Sequence, residues 1–266
     1  MNSAIIELEN IHHCFPGSAW ELNLERLNIS SSEVLGIIGP NGSGKSTLLR
    51  IAAGVLSPLQ GTILLGHKEL RKLDRRSIAK HIGYLPQELT SEYDYSVEEI
   101  VRMGRYPHTR AFGSLVQSDL DAVKHSLKVT EMDTMSKRHL SCLSGGERKR
   151  AFLASVLAQQ PRVLLLDEPT SSLDIHRQVQ FFRLLQSLAK DGMGIAVVTH
   201  DLNFASLFGD RLVFLEQGRC IAMGTPGQVL TEETMSLVYG EVILTGRHPE
   251  TNRPMILPRV LAEEIK

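Results

Sequence analysis

The chain has 266 residues, 42% of them hydrophobic and 22% charged, with a formal net charge of −1. That length buries the core of one large domain or two closely joined lobes, and so even a balance leaves no electrostatic footing for bulk nucleic-acid binding. Cys14, Cys142 and Cys220 fit no metal or redox spacing, so a reducing compartment is expected.

The first ten residues, "MNSAIIELEN", carry neither a basic segment nor a sustained apolar run, which argues against a signal peptide. Val34 to Ile38, "VLGII", is a short apolar run stopped by Gly39 and predicts a buried strand. A helix is expected from Lys45 to about Leu56, closed by "SPLQG". Residues 88–158 are helix-compatible and hold no convincing buried strand, so they read as a helical lobe inserted into an α/β core. Further buried strands are "VLLLD" at 163–167 and "GIAVVTH" at 194–200. "RLVFLEQG" and "RCIAMG" predict a hairpin across Gln217 and Gly218, and the tail "VILTGRHPETNRPMILP" a second one. Buried runs alternating with helices imply a largely parallel sheet. The longest apolar runs are far too short to cross a bilayer, so the expectation is a cytosolic protein. The division expected is a single domain over 1–266, with a core at 1–87 and 159–240, the helical lobe at 88–158 and a hairpin at 241–266.

The densest chemistry lies in "GPNGSGKST", which is Gly39, Pro40, Asn41, Gly42, Ser43, Gly44, Lys45, Ser46 and Thr47. This is the complete phosphate-loop pattern, set between a predicted strand and a predicted helix. Its glycines let backbone N–H groups close on phosphate oxygens, Lys45 reaches the β- and γ-phosphates, and the Ser46 hydroxyl suits Mg²⁺. "VLLLDEPT" places Asp167 and Glu168 at the carboxyl end of a buried strand, where ligands bind in open α/β sheets. Asp167 suits the metal and Glu168 an attacking water. His200, after "AVVT", reaches the same edge; it is either a structural histidine or one that bonds the γ-phosphate and orients water. Gln87 stands where the core passes into the helical lobe, either facing solvent or touching metal or water.

A second anion-ready helix start follows in "CLSGGERKR": Ser144, Gly145, Gly146 and Glu147 open a helix with bare backbone N–H groups. It has no counterpart of the phosphate-loop Lys45 or of the Asp167–Glu168 pair.

Taken in order, "GPNGSGKST", Gln87, "LSGGE", "LLLDEPT", "SSLD" and His200 resemble the ATP-binding cassette family over nearly the whole chain. The resemblance implies a P-loop NTPase (RecA-like) core, an inserted helical subdomain and an N-terminal antiparallel β element. It implies ATP and Mg²⁺ as ligands, and ATP hydrolysis by a head-to-tail pair of copies. In such a pair Ser144, Gly145, Gly146 and Glu147 face a nucleotide held by the opposite copy, and Asp174 lies across the interface near the hydrolytic water. Phe15 matches the position whose ring stacks on adenine, although a core aromatic is an equal reading of it.

"LPQELTSEYDYSVEEIVRMGRYPH", "LDIHRQ" and "GRHPETNRPMILP" narrow the resemblance to ATPases of bacterial importers for iron-siderophore complexes, haem and vitamin B12. That implies a polytopic permease, met by the helical lobe around Ser91 to Arg105, a substrate-binding protein acting indirectly, and a place at the cytoplasmic face of the membrane. Two positions depart from relatives: Lys149, often Gln, and His176, whose histidine commonly falls one position later. Neither is expected to touch a catalytic role. Soluble cassette ATPases of DNA repair or translation carry coiled-coil insertions or two tandem cassettes, and this chain has neither; an exporter subunit fits the motifs less well than an importer.

Overall fold

The computed structural model describes residues 3–89, 93–109, 114–171 and 173–259. Its N-terminal strands alternate between apolar and polar residues. β1 (Ala4–Cys14), β2 (Glu21–Ser30), β4 (Gln60–Leu65) and β5 (Lys68–Glu69) pair antiparallel, with one face on the core and one toward solvent. β3 (Glu33–Ile38) leads through the phosphate loop into α1 (Lys45–Ala52). α1 is shorter than its apolar pattern suggests. Gly54 takes φ +69°, and the chain turns there toward Pro58 instead of continuing helical to Leu56. The short α2 (Arg75–Ala79) precedes β6 (Ile82–Leu85).

β7 (Val163–Asp167) and β8 (Gly194–Val198) are, like β3, buried at every residue. Strands covered on both faces lose the alternation of half-buried strands, which is why they read as continuous apolar runs. α6 (Ile175–Lys190) and α7 (Leu202–Phe208) flank them in the chain, followed by the hairpin β9 (Arg211–Glu216) and β10 (Arg219–Gly224). The β9–β10 turn residues Gln217 and Gly218 have φ of +46° and +76°, the positive pair that a two-residue type I′ turn requires. The sheet order is β5-β4-β1-β2-β10-β9-β3-β8-β7-β6. β9, β3, β8, β7 and β6 run parallel, and the antiparallel N-terminal part joins through one parallel bridge, Arg219 with Asn23.

Alternate residues of the parallel strands feed two cores. Leu35, Ile37 and Leu165 pack with Leu48 and Leu49 of α1. Val34, Leu164 and Leu166 pack with Phe181, Phe182 and Leu185 of α6. Between β6 and β7 stand α3 (Val97–Met103), α4 (Gln117–Val129) and α5 (Gly145–Ala158), which share a third core of Val97, Val101, Val123, Leu127 and Ala154. Buried Arg105 pairs with buried Asp119 at 2.8 Å and donates to the Ala158 carbonyl at 2.6 Å, linking all three helical segments. After β10 come α8 (Pro226–Val229), α9 (Glu232–Tyr239) and the hairpin β11 (Ile243–Arg247) and β12 (Pro254–Pro258), which packs on α7.

Candidate nucleotide site

The phosphate loop is set by its neighbours. Gly44, the residue before α1, takes φ +102°, and a Cβ added there would lie 2.7 Å from the Trp20 ring, so both backbone and space call for glycine. Lys45 turns back over the loop and donates to the carbonyls of Gly39 at 2.9 Å and Pro40 at 2.8 Å. Burial lowers its pKa, partly offset by the negative charges of Glu168 and Asp167. Ser46 donates its hydroxyl to Asp167 Oδ1 at 2.8 Å. The β9–β10 turn braces the loop from behind, with the Gly218 N–H on the Ser43 carbonyl at 3.0 Å.

Asp167 is fully buried at the end of β7, and desolvation raises its pKa against the opposing Ser46 hydrogen bond and the Arg50 charge. Its Oδ2 has no hydrogen-bond partner in the structure. Glu168 follows with φ +46°, a left-handed conformation uncommon for a residue with a side chain and recurrent at functional sites. Its N–H bonds the Val198 carbonyl at 3.0 Å, which fixes the turn to β8. Glu168 Oε2 accepts from the Gln87 amide at 3.1 Å and lies 3.5 Å from His200 Nδ1. His200 stands two residues past the end of β8, and its side chain is 61% exposed.

Phe15, Trp20, Asn41, Gly42, Gly44, Lys45, Ser46, Thr47, Gln87, Glu168 and His200 line one open cavity of about 780 Å³, with Ser18 at its rim. Phe15 is 43% exposed just beyond β1, so the core-aromatic alternative does not hold. It stacks on Trp20 with ring centroids 6.0 Å apart and receives the edge of His13 at 5.0 Å. Trp20 is a site residue that sequence reasoning missed. Its only signal was a lone tryptophan five residues past Phe15, ahead of a strand, which looks like ordinary core.

The second helix start stands elsewhere, since Ser144, Gly145, Gly146 and Glu147 are not among the residues lining this cavity. Ser144 and Glu147 cap α5 reciprocally, the Ser144 N–H donating to Glu147 Oε2 at 2.8 Å and the Glu147 N–H to Ser144 Oγ at 3.3 Å. Gly145 and Gly146 occupy the first turn, where backbone N–H groups have no intrahelical acceptor. Asp174 caps α6 through the Arg177 N–H at 2.9 Å. Ser91 and Ser172 lie outside the described residues. Lys149, one of the two departures from relatives, donates its ammonium to the Ser171 carbonyl and hydroxyl, and Ser171 bonds the Glu168 carbonyl.

A phosphate loop at the carboxyl edge of a parallel sheet, with an acidic pair on the adjacent strand, defines a P-loop nucleoside triphosphatase. The ABC transporter family model matches residues 22–171, and the chain belongs to that family as an ATP-hydrolysing member. It is 38% identical over 233 residues to the hemin import ATP-binding protein HmuV of Rhodococcus jostii, covering 88% of this chain and 79% of that one. The ferric enterobactin transport ATP-binding protein FepC of Escherichia coli is 36% identical over 233 residues, covering 87% and 86%. Among solved structures, the dimeric ATP-binding cassette MJ0796 bound to ADP and Pi matches with a TM-score of 0.72 at 28% identity, over 83% of this chain and 98% of that one. No helix among the described residues is long and apolar enough to cross a membrane.

Proposed function

We propose that the chain is the ATPase subunit of a bacterial importer for an iron-siderophore complex, haem or vitamin B12, working as a head-to-tail pair of copies at the cytoplasmic face of the membrane. The observation that carries it is a division within one chain. Lys45, Ser46, Gln87, Glu168 and His200 gather on a single cavity, while the anion-ready start of α5 stands outside it. Relatives named for hemin, ferric enterobactin, petrobactin and cobalamin import support the substrate class.

On this reading the loop N–H groups of Gly39 to Thr47 and the Lys45 ammonium hold the phosphates, with Lys45 exchanging its two carbonyl partners for phosphate oxygens. Phe15 and Trp20 face the base. The unpartnered Oδ2 of Asp167, the Ser46 hydroxyl and the Gln87 amide form a hard-oxygen set that suits Mg²⁺. Bound there, Mg²⁺ neutralises charge on the phosphate oxygens. Glu168 takes a proton from water as its oxygen attacks the γ-phosphorus and the bond to the β-phosphate oxygen breaks. His200 orients that water and the γ-phosphate. Ser144, Gly145, Gly146 and Glu147 of the second copy close over the γ-phosphate, and Asp174 lies near its water.

The permease is met by the helical lobe, where Tyr95, Glu99, Arg102, Met103 and Tyr106 line a shallow groove of about 340 Å³. The exposed Met103 and Tyr106 suit an apolar segment of a membrane partner.

Mixed assembly tests this. Lys45→Ala and Ser144→Arg chains are each inactive alone, and their mixture regains MgATP hydrolysis through the one intact shared site. A mixture that stays inactive although it forms the ATP-dependent dimer of Glu168→Gln overturns independent shared sites. Failure of the active chain to co-purify with a polytopic membrane permease overturns the importer assignment.

A further inference from the structure

Lys149 is the fifth residue of α5, and its side chain leaves the helical lobe altogether. Its Nζ donates to the Ser171 carbonyl at 2.8 Å and to Ser171 Oγ at 3.1 Å. Ser171 in turn donates its hydroxyl at 3.1 Å, and its N–H at 3.3 Å, to the carbonyl of Glu168. The ammonium is half-buried. Desolvation lowers its pKa, and the charge of Glu168 pulls the other way. The same helix touches the same segment a turn earlier, because a Cβ added at Gly146 would meet Leu173 Cδ2 at 2.9 Å.

The segment gripped at these two points begins at Glu168, in its left-handed conformation, and ends at Asp174, the cap of α6. A strained backbone persists only when its surroundings hold it. Here Ser171 supplies the two bonds to the Glu168 carbonyl, beside the Glu168 N–H on the Val198 carbonyl, and Ser171 is held by a cation from another lobe. We propose that Lys149 is a positioning residue for Glu168 of its own chain, joining the helix start that faces a second copy's nucleotide to the carboxylate that hydrolyses its own. A shift of α5 on one nucleotide is thereby transmitted to the water-activating group at the other. This rests on the reading of Glu168 and the shared sites given above.

Lys149→Met removes the ammonium and keeps an unbranched apolar stem. In the full chain with MgATP, kcat falls about tenfold, because a carboxylate displaced by a fraction of an ångström loses its alignment. KM stays within about twofold, because the phosphate loop and base platform are untouched. Ser171→Ala breaks the same relay, so the double variant is no slower than the slower single one. Equal far-ultraviolet circular dichroism and equal nucleotide affinity verify that each variant is folded.

Mixed dimers fix the direction. With Lys45→Ala and Ser144→Arg chains combined, the surviving site uses Glu168 of the Ser144→Arg copy. Lys149→Met placed in that copy slows the site, and placed in the Lys45→Ala copy it leaves the rate unchanged. A Lys149→Met chain with wild-type kcat while Glu168→Gln is inactive overturns the relay alone, as does full additivity with Ser171→Ala or the reverse pattern in mixed dimers. Undiminished turnover by Glu168→Gln overturns both this proposal and the hydrolytic assignment beneath it.

Discussion

Gln87 donates its side-chain amide to the Glu168 carboxylate at 3.1 Å, tying the end of β6 to the end of β7 across the mouth of the cavity. In the proposed mechanism an attacking water needs the same carboxylate oxygen, so this bond must loosen or share when the nucleotide is in place. Gln87 also stands where the chain leaves the core for the helical lobe, and that contact can report the state of the site to the lobe. Gln87→Ala is expected to lower kcat about tenfold through lost alignment. Glu168→Gln is expected to lower it at least about a hundredfold through the lost base. Nucleotide affinity remains in both, and Glu168→Gln accumulates an ATP-dependent dimer. Single-turnover hydrolysis beside equilibrium nucleotide binding and sedimentation checks all three outcomes.

Trp20 is the chain's one tryptophan, and it lines the cavity between Phe15 and Gly44. Its indole N–H is buried without a hydrogen-bond partner, while the residue itself lines the cavity beside Phe15. Adding ADP should therefore change the intrinsic fluorescence saturably, with a midpoint equal to the dissociation constant measured by calorimetry. Phe15→Ala removes an aromatic face, and a stacked base is worth about 1–3 kcal/mol, so affinity should fall by about tenfold. An unchanged emission spectrum at saturating ADP would place the base away from these rings.

Where the chemistry is contiguous, the sequence was sufficient. Lys45 and Ser46 follow the glycines by fixed spacing, and Asp167 and Glu168 sit on an apolar run that has one sensible fold. What escaped it depends on chain segments meeting at long separation. Lys149 and Ser171 are 22 residues apart on different lobes, and a flexible lysine stem leaves no periodic mark. The left-handed backbone of Glu168 is equally silent, since residue type signals positive φ only through Gly, Asn or Asp. Trp20 fails for the opposite reason: an aromatic beside a strand is nearly always core. The helix end at Ala52 turns on Gly54, whose positive φ outweighs an apolar pattern that continues to Leu56.

Arg105 and Asp119 hold the helical lobe together out of contact with water. Burial works to raise the Asp119 pKa, but the Val116 N–H and the Arg105 guanidinium outweigh it, so the carboxyl sits below its ordinary range. A carboxyl depressed by folding stabilises fully above its unfolded value of about 3.9, and the contribution drains as pH falls through the folded value. Arg105→Met leaves a buried, unpaired carboxylate and should cost about 3–5 kcal/mol at neutral pH. In that variant the Val116 N–H still opposes burial, so the folded pKa rises from its depressed position and the stability lost on acidification becomes smaller than in the parent chain. Urea denaturation followed from neutral pH to below about pH 3.9 separates the two slopes.

Arg253, at the entry to β12, caps the far end of α7. Its Nη1 donates to the carbonyls of Ser206 at 2.6 Å, Leu207 at 3.2 Å and Gly209 at 2.7 Å, the orphan acceptors of a helix C-terminus. Asn203 of α7 pairs with the Ile256 backbone as a strand would, accepting at 2.8 Å and donating at 3.1 Å, and Ser206 donates to the Pro254 carbonyl at 2.7 Å. The other end of α7 is capped by Asp201, next to His200. The terminal hairpin therefore grips the helix whose cap directly follows the histidine that lies 3.5 Å from Glu168. Arg253→Met should cost about 1.5–3 kcal/mol for hydrogen bonds to a charged donor. Amide exchange should accelerate in α7 ahead of β7 and β8, because the loss is local. If His200 depends on this clamp, kcat falls with KM unchanged; α7 amides as protected as before would show that the hairpin does not hold the helix.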